Sequence, residues 1–291
     1  MKPYLITFVS IAVVGFISLL VILAHGGQLP VLLPSGSIGI AERNLMLQAV
    51  FLMLIVVIPV FILIIFIGWH YRAGNTSAKY TPNWENSRME EFIWWSIPFE
   101  IVLVLAALTW SSTHTLDPAK ALIHPEQPLV VEVVALPWKW LFIYPEEGIA
   151  SLNEVALPAD RPIEFRITAD APMNSFWIPA LGGQMYAMTG MTTTLHLIAA
   201  QPGNYQGLSA NYSGEGFAQM RFTARAMNAA DFNAWVAQAR QSPDSLTKET
   251  YASLRKPGDA GPVRYYGMAA MTFEEIEQFY MPMNSMTGAH Q

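Results

Sequence analysis

SANYSGEGFAQM, residues 209–220, stands between a Gly/Pro turn at Pro202 and Gly203 and the β-like run 220–226. Its small and polar residues, with Gly214 and Gly216, suit a tight loop joining two strands. The spacing is regular: Ser209, three residues, Ser213, three residues, Phe217, two residues, Met220. Asn174 lies upstream in MNSFWIP. Around this loop the period is that of strands. Residues 129–136 (LVVEVVAL) are rich in β-branched side chains, and in 162–168 (PIEFRIT) Ile163, Phe165 and Ile167 alternate with polar residues. Residues 192–198 continue the series, so residues 125–226 are expected to form an all-β Greek-key sandwich with short strands and Gly/Pro turns. His196 falls in one of these strands, where a lone histidine is expected to pack or face solvent.

The chain before residue 125 is of another kind. Overall the 291 residues are 53% hydrophobic and 13% charged, against about 25% charged in soluble domains, which predicts a membrane protein. Residues 4–24 form an apolar run behind Lys2. It has the polarity of a signal peptide, and about 20 residues is also enough to span a bilayer. Residues 1–26 are therefore read as a signal peptide or an N-terminal membrane anchor, a possible third helix. Residues 40–115 are expected to form a transmembrane helical hairpin with spans near 45–69 and 92–110. The first span carries no charge and would be about 37 Å long, more than the roughly 30 Å of hydrocarbon, so tilt or a kink at Pro59 is expected. The intervening loop holds Arg72, Lys79 and Arg88, while the opposite flanks offer Arg43 and Lys120. The positive-inside rule places that loop in the cytoplasm. In the second span, Trp94, Trp95 and Trp110 suit the interfaces, and Glu100 is an intramembrane carboxyl costing about 3 kcal/mol or more on insertion scales. Two readings stand for Glu100: a hydrogen bond to a partner helix, or a step on a proton path.

Net charge is −6 with no long basic run, which argues against nucleic acid. There is no cysteine, which excludes disulfides, thiolate metal sites and thiol nucleophiles, and a lipid anchor on an N-terminal Cys is not expected.

The 209–220 frame resembles the copper loop of subunit II of the haem–copper oxidases, where the same spacing carries Cys, Cys, His and Met. In that family a second His precedes the loop in a context like MNSFW. Here Ser209 and Ser213 hold the Cys positions, Phe217 and Asn174 the His positions, and Asn211 matches a Glu that lends its carbonyl; Met220 keeps its identity. Bridging thiolates and terminal imidazoles cannot be replaced by hydroxyls and a phenyl ring. The pattern is similar to subunit II of the cytochrome bo-type ubiquinol oxidases, whose relatives have lost this copper centre. The absence of cysteine argues against a cytochrome c oxidase subunit II. Residues 227–282 resemble the aromatic-rich C-terminal extension of the bo-type subunits: Asn228 is placed to cap a helix with Phe232, Trp235, Val236 and Ala239 on one face, and Thr272 with Glu275 makes a capping box.

The resemblance implies a cupredoxin-like sandwich on the outer side of a bacterial inner membrane, in a multi-pass subunit of a proton-translocating oxidase that reduces O2 to water. No cofactor is expected in this chain; haems and copper are expected in subunit I. The partners implied are subunit I and other oxidase subunits, the lipid bilayer, and ubiquinol by way of subunit I. Glu91, in EFIWWSIP at the cytoplasmic mouth of the second span, matches a family Glu at a proton channel into subunit I. The aromatic stretch 138–144 (WKWLFIY) is expected to be buried against subunit I. Residues 283–291 are expected to be flexible; Met281, Met283, Met286 and His290 offer Cu(I) ligands without a scaffold. A membrane-anchored cupredoxin-like module that binds a partner outside any oxidase is the alternative.

Overall fold

The structure, a computed structural model, describes residues 14–22, 29–79, 81, 87–258, 262–269 and 271–278. The chain divides into two compact units, one of residues 1–41 and 118–291 and one of Glu42–Asp117. Residues 14–22 are helical; the rest of the N-terminal run, and the tail methionines with His290, lie outside the described residues.

The smaller unit is built on two helices, α1 (Ser37–His70) and α2 (Arg88–Thr115), both long and apolar enough to cross a membrane. Each extends past the apolar span expected from the sequence, because polar residues such as Arg43 and Arg88 continue the helix beyond the hydrocarbon-length core. Half-buried positions recur at four-three-four spacing: Leu45, Ala49, Leu52 and Val56 on α1, Ile101, Leu105, Leu108 and Ser112 on α2. That is the interval at which one helix presents a seam to another. Toward the connecting loop, residues 57–69 and 88–100 are exposed apart from Ser96.

The larger unit holds a two-sheet sandwich. The first ten strands are β1 (Leu129–Leu136), β2 (Lys139–Tyr144), β3 (Ile149–Leu152), β4 (Glu154–Pro158), β5 (Pro162–Ala169), β6 (Asn174–Trp177), β7 (Gln184–Ala187), β8 (Thr193–Ile198), β9 (Gly203–Ser209) and β10 (Arg221–Met227). The C-terminal region adds α3 (Ala229–Ala239), β11 (Ser245–Leu246), α4 (Lys248–Leu254), β12 (Arg264–Tyr266), β13 (Met268–Ala269) and α5 (Phe273–Gln278). One sheet runs β12-β3-β2-β1-β5-β8, the other β4-β10-β9-β6-β7. β1 pairs antiparallel with β2 and parallel with β5, with Val131 opposite Phe165.

Five rings join the sheets. Phe176 of β6 lies 5.0 Å from Phe222 of β10, stacked, and 5.3 Å and 5.1 Å from Trp140 and Phe165 across the core; Phe142 meets Phe222 at 5.2 Å. Such pairs add about 0.5–1.5 kcal/mol each beyond their burial. The stretch 138–144 is thereby a correction to the sequence reading. Trp138 precedes strand β2 and is half-buried, while residues 139–144 are the strand itself, with Trp140, Phe142 and Tyr144 fully buried in the sandwich and Leu141 and Ile143 buried on the other face. These rings fill this chain's own core and are not available to cover another subunit.

The other face of β1–β3 is covered by the C-terminal region. Val134, Leu136, Leu141, Ile143 and Leu152 form a second cluster with Leu246, Tyr251, Leu254, Phe273 and Ile276. The extension also contributes β12, which pairs antiparallel with β3. Its caps follow the sequence: Asn228 Oδ1 accepts from Asp231 N at 2.8 Å, and Thr272 and Glu275 exchange bonds of 3.1 and 3.3 Å. Phe232, Trp235, Val236 and Ala239 are the buried face of α3.

Candidate functional site

The 209–220 loop leaves β9 at Ser209, turns through a 3-10 segment at Phe217–Gln219, and enters β10. Its base is closed by Ser209 N donating to Met220 O at 3.1 Å, and Ala210 N ties it to Ser175 O of β6 at 3.0 Å. Ser209 Oγ donates to Asn174 Oδ1 at 2.9 Å and to Asn211 O at 3.3 Å. Asn174 Nδ2 in turn donates to Pro172 O at 2.7 Å, and Asn211 Nδ2 to Met173 O at 3.0 Å. Ser209, Asn174 and Met220 are all buried, and Met220 belongs to the apolar core. The fold thus brings Asn174 and Ser209 into direct contact across 35 residues. Phe217 instead meets Tyr212 edge-on at 5.7 Å.

Trp138 explains the loop's glycines. It sits at φ 63° between β1 and β2, and its Nε1 donates to Ser213 O at 3.3 Å. A Cβ on Gly216 would run into the Trp138 indole, and Gly214 at φ 111° takes a conformation costly for L side chains. Beside the ring, a cavity of about 170 Å3 is lined by Trp138, Pro172, Asn174, Ser213 and Pro257. Ser213 Oγ is buried without a partner among the described residues. What this arrangement offers is hydrogen bonding between hydroxyl and amide groups. Among the described residues no three His, Asp or Glu side chains are grouped to hold a metal ion.

Three polar groups absent from the sequence reading lie where the sandwich meets the extension, and the first two bond across it. Asp170, buried at the end of β5, pairs with Arg255 at 2.7 Å and accepts from Tyr251 Oη at 2.8 Å. Lys139 Nζ donates to the carbonyls of Leu254 and Lys256 at 3.0 and 2.8 Å, just past α4, where a cation favours the helix dipole. Burial, then Arg264, hold its ammonium below the usual lysine range. Glu132 lies buried on β1 opposite Arg166 of β5. Burial, and then the Glu274 carboxylate of α5, push the Glu132 carboxyl up to about 7 against the pull of Arg166. Arg166 is itself paired with Glu164 at 2.8 Å. The signal for Lys139 and Glu132 was present, since each is a lone charge in an apolar strand. His196 is buried on β8, with Nδ1 3.3 Å from Pro118 O.

In the helical unit, Glu90 and Glu91 occupy the first turn of α2, where a carboxylate complements the helix dipole. Glu91 N donates to Ser87 O at 3.0 Å, and the Glu91 side chain is exposed. Glu100 is exposed as well.

Comparison with known proteins agrees with this architecture. Residues 129–227 match the family of the cytochrome c oxidase subunit II periplasmic domain, and residues 240–284 match the COX aromatic-rich motif. The chain is similar to cytochrome bo(3) ubiquinol oxidase subunit 2 of Pseudomonas putida, 48% identical over 93% of this chain and 86% of that one. It is 47% identical to the Pseudomonas aeruginosa protein of the same name over 84% of this chain and 74% of that one. Identity to ubiquinol oxidase subunit 2 of Acetobacter aceti is 47%, covering 88% and 83%. With two membrane-length helices, a cupredoxin-like sandwich and the aromatic-rich extension in the same order, the chain belongs to the subunit 2 family of the cytochrome bo-type ubiquinol oxidases.

Proposed function

We propose that this chain is the copper-free subunit II of a proton-translocating oxidase that passes electrons from ubiquinol to O2, held against a haem-bearing subunit I. The observation that carries the reading is the loop at Ser209. Its spacing is kept, while the Ser209 hydroxyl is hydrogen-bonded to Asn174 and Phe217 presents a phenyl ring. This donor set does not fit a dinuclear copper centre, which needs soft bridging sulfur and imidazole nitrogen. A water-soluble donor docking outside the membrane would need such a relay; a quinol dissolved in the bilayer delivers electrons without one. Haems and copper then belong to subunit I, and this chain contributes two membrane crossings and an outer cap in a bacterial inner membrane.

Glu91 is the residue of this chain proposed to admit protons. It stands at the first turn of α2, beside the basic cytoplasmic loop. A carboxylate at that boundary can take up a proton from water and pass it to an acceptor in subunit I. Oxygen uptake by the purified complex, driven in turn by ubiquinol and by reduced cytochrome c, tests the whole reading. Uptake with ubiquinol alone is expected, with no copper beyond that of subunit I. Glu91→Ala is expected to lower turnover and proton pumping severalfold with haem content unchanged; wild-type rates would remove Glu91 from the proton route.

A further inference from the structure

The chain leaves the sandwich unit after Ala41 and returns to it at Pro118. Both ends are tied to β8 and the two residues after it. On the outgoing side Gly36 forms an isolated antiparallel bridge with Ala199, and Ala200 N donates to Ser35 O at 3.0 Å. On the returning side His196 N donates to Pro118 O at 3.0 Å, and the His196 ring brings Nδ1 to 3.3 Å from the same oxygen. The first tie is made by backbone. The second adds an imidazole that is only 7% exposed.

A carbonyl oxygen only accepts, so the ring bonds to it as Nδ1–H. In the neutral ring Nε2 is then an acceptor, and it faces Glu164 Oε2 of β5 at 3.9 Å. Two acceptors offer each other no bond. A proton on Nε2 turns the same placement into an ion pair and strengthens the Nδ1–H donor toward Pro118 O. Arg166 engages the other carboxylate oxygen, Glu164 Oε1, at 2.8 Å, so Oε2 is left to the imidazole. Glu164 is partly exposed, which brings water to the pair. The other charged groups around it are Glu132 of β1 and Glu274 of α5, which act on Arg166, and Asp117 and Lys120, which flank Pro118 in the chain.

We propose that His196 makes the tie at Pro118 a proton-sensitive latch, tightened by protonation of the imidazole, while the tie at Gly36 is indifferent to pH. The hold is complete in acid and weakens as pH rises, because the latched state binds the extra proton. The inference rests on the reading of a proton-translocating oxidase with this sandwich on the outer side, where protons released during turnover would tighten the latch.

Amide hydrogen exchange of the purified complex tests it, resolved to single residues, corrected for intrinsic rates and followed between pH 5 and 8, where histidine side chains change charge. The His196 amide, bonded to Pro118 O, is expected to lose about fivefold in protection from the acid to the alkaline end. The Ala200 amide, bonded to Ser35 O, is expected to change by less than about twofold. His196→Gln keeps a side-chain donor without a titrating ring and should abolish the difference. Glu164→Gln removes the charge that receives the imidazolium and should shrink it. Equal loss at both amides, no loss at either, or a slope unaltered by either substitution would overturn the latch. Ubiquinol-driven oxygen uptake is read on the same preparation. Its absence would overturn the oxidase reading and the part given to turnover, whereas a flat exchange profile in an active complex overturns the latch alone.

Discussion

The Ser209–Asn174 contact and the seam beneath the C-terminal extension are both closed by buried polar groups, but with different chemistry. At the Ser209–Asn174 contact the groups are neutral: one hydroxyl, two amides and backbone, bonded within a few residues of the strand ends. At the seam they are charged: Asp170 with Arg255 and Tyr251, and Lys139 against the carbonyls after α4. A neutral hydrogen bond is worth about 1 kcal/mol net, whereas leaving a buried charge without its partner costs several. A position held only by neutral hydrogen bonds can therefore be exchanged at little cost. A group that pins a peripheral segment to the sandwich has far less freedom.

The largest effect follows at Asp170. Asp170→Ala removes a hydrogen-bond acceptor from the buried Tyr251 hydroxyl and an ion-pair partner from Arg255. A loss of about 3 kcal/mol is expected. It should appear as faster amide hydrogen exchange across residues 245–278 in the full chain, with β1 and β5 little changed. Loss of less than about 1 kcal/mol would mean that the apolar cluster around Leu246 and Phe273 holds the extension by itself.

Glu132 tests the same seam through pH. Its folded carboxyl titrates at about 7 against an ordinary value of 4.5. Between those values the folded state binds the extra proton, so stability falls as pH rises through the window and levels off above it. The charged neighbours are Arg166 from β5 and Glu274 from α5. A spread of about 2 kcal/mol is expected between pH 4.5 and 7.5. It would be read as protection of residues 271–278, corrected for intrinsic exchange rates. Glu132→Gln should flatten the profile; an unaltered slope would place its source in another group.

These groups also mark where the sequence was readable. Alternation in 162–168, the β-branched run 129–136 and the caps at Asn228 and Thr272 each carry a local period or pair, and each is found in the fold. The five-position frame of the loop was readable because its spacing is set by a turn. WKWLFIY was not, since β2 is covered on both faces and so shows no alternation from which burial could be inferred. The pairing of Asp170 with Arg255, or of Lys139 with the end of α4, spans more than 80 residues and has no local pattern. A strand added by the extension to β3 is non-local in the same way.

The smallest effect is expected in the loop. Ser209→Ala removes the hydroxyl and leaves Asn174 Oδ1 buried without that donor. About 1–2 kcal/mol should be lost, measured by thermal unfolding of the complex, with ubiquinol-driven oxygen uptake unchanged. Adding Asn174→Leu should cost less than the sum of the two single changes, because the shared Ser209–Asn174 bond is lost only once, although the Pro172 and Asn211 carbonyls each lose a donor. A strictly additive pair would break the account of Ser209 and Asn174 as one hydrogen-bonded unit. A selective fall in turnover at normal stability would show that the loop takes part in the chemistry and is not only a structural turn.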